Sequence, residues 1–188
     1  MSSEASSLKG QLLIAMPGMS DPRFDHSVIY MCAHTADAAM GLVVNRLVDH
    51  INFPDLLEQL NIKLDSPAQQ IRVHFGGPVE SGRGFVLHSA DYLQDASMVV
   101  DGDVALTASV NVLKAIAEGE GPKHSLLALG YAGWGPGQLD AEIQANAWLH
   151  APADDEIVFG TNLESKWRQA AEKLGVDISL LSSDAGHA

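Results

Sequence analysis

The chain has 188 residues, 46% hydrophobic and 19% charged, the composition of a globular domain with a sizeable core and not of a disordered segment. Its formal net charge of -13, with 11 Lys and Arg against 24 Asp and Glu, argues against direct binding to DNA or to an anionic membrane surface. The lone cysteine, Cys32, excludes an intramolecular disulfide and fits a reducing compartment, and no run approaches the roughly 20 apolar residues of a membrane span, so a soluble, cytoplasmic protein is expected.

Residues 1–7 read as a disordered tail, and residues 8–188 as a single domain. Leu12–Met16 reads as a buried strand, closed by Pro17-Gly18. Val28–Cys32 and Gly41–Val44 are the next two strands, rich in the β-branched and aromatic residues that extended backbone favours. Asn52 is placed to cap a helix with Pro54 in its first turn and Phe53, Leu56, Leu57 and Leu60 on one face. Ile71–Phe75 alternates, and Gly84–His88 could pair with it as a hairpin across Pro78–Arg83. Met98–Val100 and Val104–Leu106 flank the turn Asp101-Gly102-Asp103, a hairpin signal. A helix capped by Thr107 or Ser109 should run to about Glu118 with Val110, Leu113 and Ala117 as its stripe.

Ser125–Leu129 is expected to be a central strand, with Gly130–Gly137 as the loop after it. Leu139–Leu149 reads as a helix, Ile157–Phe159 as a short strand, and Leu163–Leu174 as a helix with Trp167, Ala170, Ala171 and Leu174 inward. Asp177–Ala188 reads as an irregular tail. Strands cluster early and alternate with helices later, which suggests a mixed α/β (α+β) fold: one mixed sheet with a helical layer, not a parallel Rossmann array.

No complete chemical motif emerges. Gly77–Gly84 has the glycine spacing of a phosphate loop but lacks its Lys, its hydroxyl and the helix that should follow, so a hairpin loop is the simpler reading. Gly130-Tyr-Ala-Gly-Trp-Gly-Pro-Gly137 misses the dinucleotide spacing, since Gln138 or Asp140 falls where the third glycine belongs, and Asp140 and Glu142 would repel a phosphate. Its glycines are better explained as turn-formers around Trp134. His74 and His88 could face each other across a hairpin, but two histidines fall short of a metal site. Cys32 lies in an apolar run that predicts an inert thiol, there is no GxSxG elbow, and Asp154-Asp155-Glu156 reads as a solvated loop. No catalytic residue, metal or cofactor is therefore assigned. The polar pair Asn45-Arg46 ends a strand, where an arginine can bind a carboxylate or phosphate or simply pair with a local acid.

Several segments taken in order carry a resemblance. They are Leu12-Leu-Ile-Ala-Met-Pro-Gly-Met19, Gly41-Leu-Val-Val-Asn-Arg46, Gly76-Gly-Pro-Val79 with Gly84-Phe-Val-Leu-His88, Gly130-Tyr-Ala-Gly-Trp-Gly-Pro-Gly-Gln-Leu139 with Asn146-Ala-Trp-Leu149, and a closing run through Trp167, Leu174-Gly-Val-Asp177 and Ala185-Gly-His-Ala188. Together they resemble the AlgH/YqgE family over residues 8–188. The resemblance implies one domain around a strongly curved, largely antiparallel or barrel-like sheet. It also brings a transcriptional-regulator label, after a member linked to alginate production, with no defined activity and no established catalytic residues to carry over. Family members commonly read Asn-Arg-Pro where this chain has Leu47, which loosens the turn after Arg46.

Two roles follow as expectations. The first is a non-enzymatic regulatory or interaction domain that acts on gene expression indirectly, through a protein or small-molecule partner. The alternative is a small-molecule or nucleotide-binding protein, with or without catalysis, whose site lies near Asn45, Arg46, Trp134 and Gln138.

Overall fold

The apolar runs of the sequence are extended and lie side by side. The computed structural model describes residues 7–17, 19, 21–49, 51–62, 72–94 and 97–175. The expected tails fall outside these residues, apart from Ser7, and so does Ile71. The strands are β1 (Gln11–Ala15), β2 (Val28–His34), β3 (Ala39–Val43), β4 (Val73–Phe75), β5 (Val79–Ser89), β6 (Ser97–Asp101), β7 (Val104–Thr107), β8 (Ser125–Trp134) and β9 (Trp148–Pro152). The helices are α1 (Phe53–Gln59), α2 (Val110–Ala117), α3 (Gln138–Gln144), α4 (Asp155–Phe159) and α5 (Leu163–Glu172).

One nine-stranded sheet runs β6-β7-β5-β8-β3-β2-β1-β9, with β4 joined to β8 off this path. Every pairing is antiparallel except that of β4 with β8. The sheet curls into a half-barrel, so the fold is a mixed α/β single domain. Leu12, Tyr30, Leu42, Leu87 and Leu106 fill the interior, closed by Ile157 and Val158 of α4 and Ala170 of α5. Outside, α1 and α2 cover Val73, Val86 and Leu127, while Leu139 of α3 packs with Trp134 and Trp148.

The curl depends on a fork at β8. One edge of β8 pairs with β5 along almost its whole length. The other edge takes β4 at Leu127–Leu129 and then β3 at Ala132–Trp134. The chain leaving β3 continues on the far side of β4, through Val43 N–H to the Gly76 carbonyl, Phe75 N–H to the Arg46 carbonyl and Val48 N–H to the Val73 carbonyl. At the point of the fork, Gly130 has φ +75° and a Cβ there would sit 2.3 Å from the Gly77 oxygen. A Cβ on Gly77 would lie 2.0 Å from the Tyr131 carbonyl carbon. Only backbone without side chains can pass this closely.

Several expectations are corrected. The segment Pro78–Arg83 is not a hairpin loop: from Val79 onward it lies in β5, whose register shifts between Val79 and Gly84. β4 and β5 flank opposite edges of β8, so His74 and His88 do not face each other. The proposed loop Gly130–Gly137 is strand as far as Trp134. The proposed helix Leu139–Leu149 stops early, at Gln144, because Asn146 turns left-handed at φ 64°. Trp148–Pro152 then pairs with β1 as an edge strand, where a proline is tolerated. Ile157–Phe159 is helical, not extended: Asp154 caps it by accepting the Ile157 N–H at 2.8 Å, and Asp155 and Glu156 complement the first turn. Val110 and Leu174 are exposed, whereas Val112, Ile116 and Lys166 are buried. The Asn52 cap stands, with its Oδ1 accepting the Asp55 N–H at 2.9 Å.

Gly130→Ala is expected to destabilise the protein by more than about 2 kcal/mol in urea unfolding, from left-handed strain plus backbone overlap. Gly82→Ala, whose Cβ would meet nothing within 4 Å, is expected to stay within about 0.5 kcal/mol of the parent.

Candidate functional site

A trough follows from the curl. β5 and β8 lie in the middle of the strand order and form a floor, and the β2–β3 and β6–β7 hairpins rise on either side. The resulting cleft has a volume of about 660 Å³. Met40, Phe85, Met98, Leu106, Tyr131 and Trp134 give it an apolar and aromatic lining, and Thr35 and Arg83 supply polar groups. Phe85 and Leu106 also belong to the interior core, so the cleft is an open continuation of that core.

Arg83 is the cation of the cleft. Its guanidinium lies 5.0 Å above the Phe85 ring, and Phe85 meets Tyr131 edge to face at 5.9 Å. Its partner Glu80 is 3.7 Å away, and both side chains are about half exposed, at 54% and 50%. Such a pair contributes little and exchanges readily for another anion. Desolvation holds the Tyr131 phenol above its ordinary pKa, and Glu80 beside it acts in the same direction, so it is neutral at physiological pH.

The four residues expected to form a site part company. Trp134 lines the cleft with its ring and donates its indole N–H to Glu142 Oε1 at 3.0 Å. Trp148 donates to the same oxygen at 3.0 Å, and Gln138 Nε2 donates to the other carboxylate oxygen at 2.9 Å. Gln138 Oε1 in turn accepts the Gly135 N–H at 3.0 Å. Glu142 therefore clamps the two indoles behind the cleft wall. Asn45 and Arg46 serve another segment. Asn45 accepts the Val28 N–H at 3.0 Å and donates to the His26 carbonyl at 2.8 Å. Arg46 donates to the Arg23 and Asp25 carbonyls, the latter at 2.8 Å. Neither residue lines the cleft.

Cys32, His74, His88 and Lys166 are buried. Burial pushes the Cys32 thiol up to about 12. Burial, then the nearby Lys166 charge, pulls His74 down to about 4, and its Nδ1–H donates to the Leu127 carbonyl at 3.1 Å. His88 Nε2 contacts Thr107 Oγ1 at 2.7 Å. Lys166, on the buried face of α5, donates to the Val44 carbonyl at 2.9 Å and the Val158 carbonyl at 2.8 Å. Burial, with Arg72 nearby, lowers its amine to about 7. Among the described residues no three His, Cys, Asp or Glu side chains group as a metal site, and no helix is long and apolar enough to cross a membrane.

The sequence reading missed Arg83, Phe85 and Tyr131. The available signal was the period of two through Val79, Ser81, Arg83 and Phe85, which the glycines at 82 and 84 interrupt.

Replacing Glu142 with Ala should cost about 1–3 kcal/mol, since two indole donors lose their acceptor. It should move the indole N–H resonances of Trp134 and Trp148 and leave that of Trp167, which donates to the Ala15 carbonyl at 2.7 Å, in place. Lys166 gives a pH prediction. Its folded pKa lies below the unfolded value, so the unfolded chain holds more protons between about pH 7 and 10. Stability relative to Lys166→Met should therefore rise across that window, by up to about 1.4 kcal/mol per pH unit, in denaturant titrations at matched salt.

The family model described as AlgH-like matches residues 12–179. A UPF0301 protein of Bradyrhizobium diazoefficiens is 54% identical over 194 residues, covering 99% of this chain and 91% of its own. One from Rhodopseudomonas palustris is 55% identical over 189 residues, covering 96% and 87%. The solution structure of the AlgH protein from Pseudomonas aeruginosa superposes with a TM-score of 0.78 at 46% identity, covering 97% of each chain. A crystal structure of a Corynebacterium diphtheriae protein shares the fold, with a TM-score of 0.76 at 20% identity, covering 94% of this chain and 92% of that one.

Proposed function

The chain belongs to the AlgH-like family, and we propose that this member is a ligand-binding domain without catalysis of its own, whose cleft takes a small molecule with an apolar body and one carboxylate or phosphate. The observation that carries this reading is the aromatic-walled cleft of about 660 Å³ with Arg83 stacked over Phe85. That volume lies within the range of small-molecule pockets, and one cation among apolar walls is the usual recipe for orienting an amphipathic anion. Thr35 adds a hydroxyl on the opposite wall. In this reading the Cys32 thiol and the Lys166 amine take no part in chemistry, since both are fully buried and away from the cleft, and the Thr35 hydroxyl is engaged with the Ala38 carbonyl at 3.3 Å.

A regulatory role fits this reading as an indirect one. Ligand occupancy would alter the β2–β3 and β6–β7 hairpins, and a protein partner would read the change. The net charge of -13 opposes contact with DNA. The cytoplasm is the compartment that fits the single reduced, buried thiol.

Melting-temperature shifts with medium-chain carboxylates and aryl phosphates test the reading, because a ligand that prefers the folded state raises apparent stability. A saturable upward shift is expected. Arg83→Gln should weaken the apparent Kd roughly fivefold, about 1 kcal/mol, and Ala108→Trp, which fills the cleft, should abolish the shift. No shift with any amphipathic anion, or equal shifts in both variants, would contradict it.

A further inference from the structure

A second cavity, of about 320 Å³, lies where the β6–β7 turn approaches β1 and α4. Four carboxylates line it: Asp101 and Asp103 from the turn, and Asp154 and Asp155 from the start of α4. Gly10 brings the two sides together. It adopts φ +82°, and a Cβ there would lie 3.2 Å from Asp101 Cβ.

The cavity also contains a buried polar group that the fold does not use. Tyr30 of β2 lines it, is 1% exposed, and its hydroxyl makes no hydrogen bond among the described residues. Leaving a buried hydroxyl unpaired costs about 1–3 kcal/mol, so its position calls for a partner. Burial pushes this phenol well above its ordinary range, and the negative charges of Asp101 and Asp155 act in the same direction. It is therefore a neutral hydroxyl, able to accept one N–H and donate to one oxygen.

We infer that this cavity binds a small aliphatic diamine, with one ammonium held between the Tyr30 hydroxyl and the Asp101 and Asp155 carboxylates and the other at Asp103 near the mouth. Three features select this chemistry. The carboxylates attract cations, yet no three of them group as a metal site. The cavity admits a ligand of several atoms, and Val104, Ala153 and Val158 provide apolar wall for an alkyl chain. Asp154, finally, is already 2.6 Å from an alkyl ammonium, the Nζ of Lys173, which shows the pairing geometry that this rim accepts. The site is separate from the cleft with Arg83, and its test is independent of that reading.

Isothermal titration of the full chain with 1,4-diaminobutane at constant ionic strength tests it, with butylamine and magnesium chloride as parallel titrants. The expected result is saturable one-to-one binding of the diamine, weaker binding of butylamine and none of magnesium. Tyr30→Phe removes only the unpaired hydroxyl and should weaken binding roughly fivefold. Asp155→Asn should weaken it more, while Glu58→Gln, the same loss of charge on exposed α1, should leave it unchanged. Absence of diamine binding, equal heats from magnesium, or an affinity equal to the parent's in Tyr30→Phe or in Asp155→Asn would each overturn the proposal.

Discussion

The architecture depends on the close crossing of backbone at Gly76, Gly77 and Gly130. β8 must serve as partner to β5 on one edge, and to β4 and then β3 on the other. A flat sheet cannot offer two successive neighbours along one edge without a change of direction. Gly130 supplies that change through its left-handed φ, and Gly76 and Gly77 let the returning chain fit into the fork. From this joint the two hairpins diverge, the sheet curls, and the cleft opens along its floor.

Polar groups inside the fold are then arranged around backbone that the curl leaves without a strand partner. Lys166 reaches the Val44 carbonyl just beyond the end of β3 and ties it to α4 through Val158. Asn45 and Arg46, next along the chain, hold the turn at 23–28 by its own backbone groups. The three tryptophans each donate their N–H, two to Glu142 and one to Ala15. These contacts fix the scaffold around the cleft, while among the described residues the cleft's own cation, Arg83, is held by an exposed pair and an aromatic face.

Much of the fold was legible in the sequence wherever local pattern and tertiary role agree. The first three strands, the Asn52-capped α1 and the β6–β7 hairpin lie close to where apolar periodicity placed them. The failures are equally specific. Trp148–Pro152 continues an apparently helical stretch, and only its pairing with distant β1 makes it a strand. Ile157–Phe159 has strand-forming residues but follows an Asp cap that starts a helix. The glycines of 76–84 resemble a loop when read locally, and only the position of Gly130 fifty residues later shows that they form a fork. For the candidate site, Trp134 was visible as an aromatic among glycines. Asn45 and Arg46 stand out as a polar pair at a strand end, and their side chains bond neighbouring carbonyls and an amide N–H. Lys166 could not be found from pattern, because a lysine on an amphipathic helix ordinarily faces water.

The central claim is that the curl produced at Gly130 leaves a binding cleft between the two hairpins. Methyl-resolved NMR during titration with decanoate tests it most directly. The account predicts saturable shifts at Ala39, Met40, Met98 and Ala108, on both walls, with the methyls of Val112 and Ile116 on the buried face of α2 unmoved. Shifts confined to one hairpin, spread evenly over the protein, or absent altogether would contradict it.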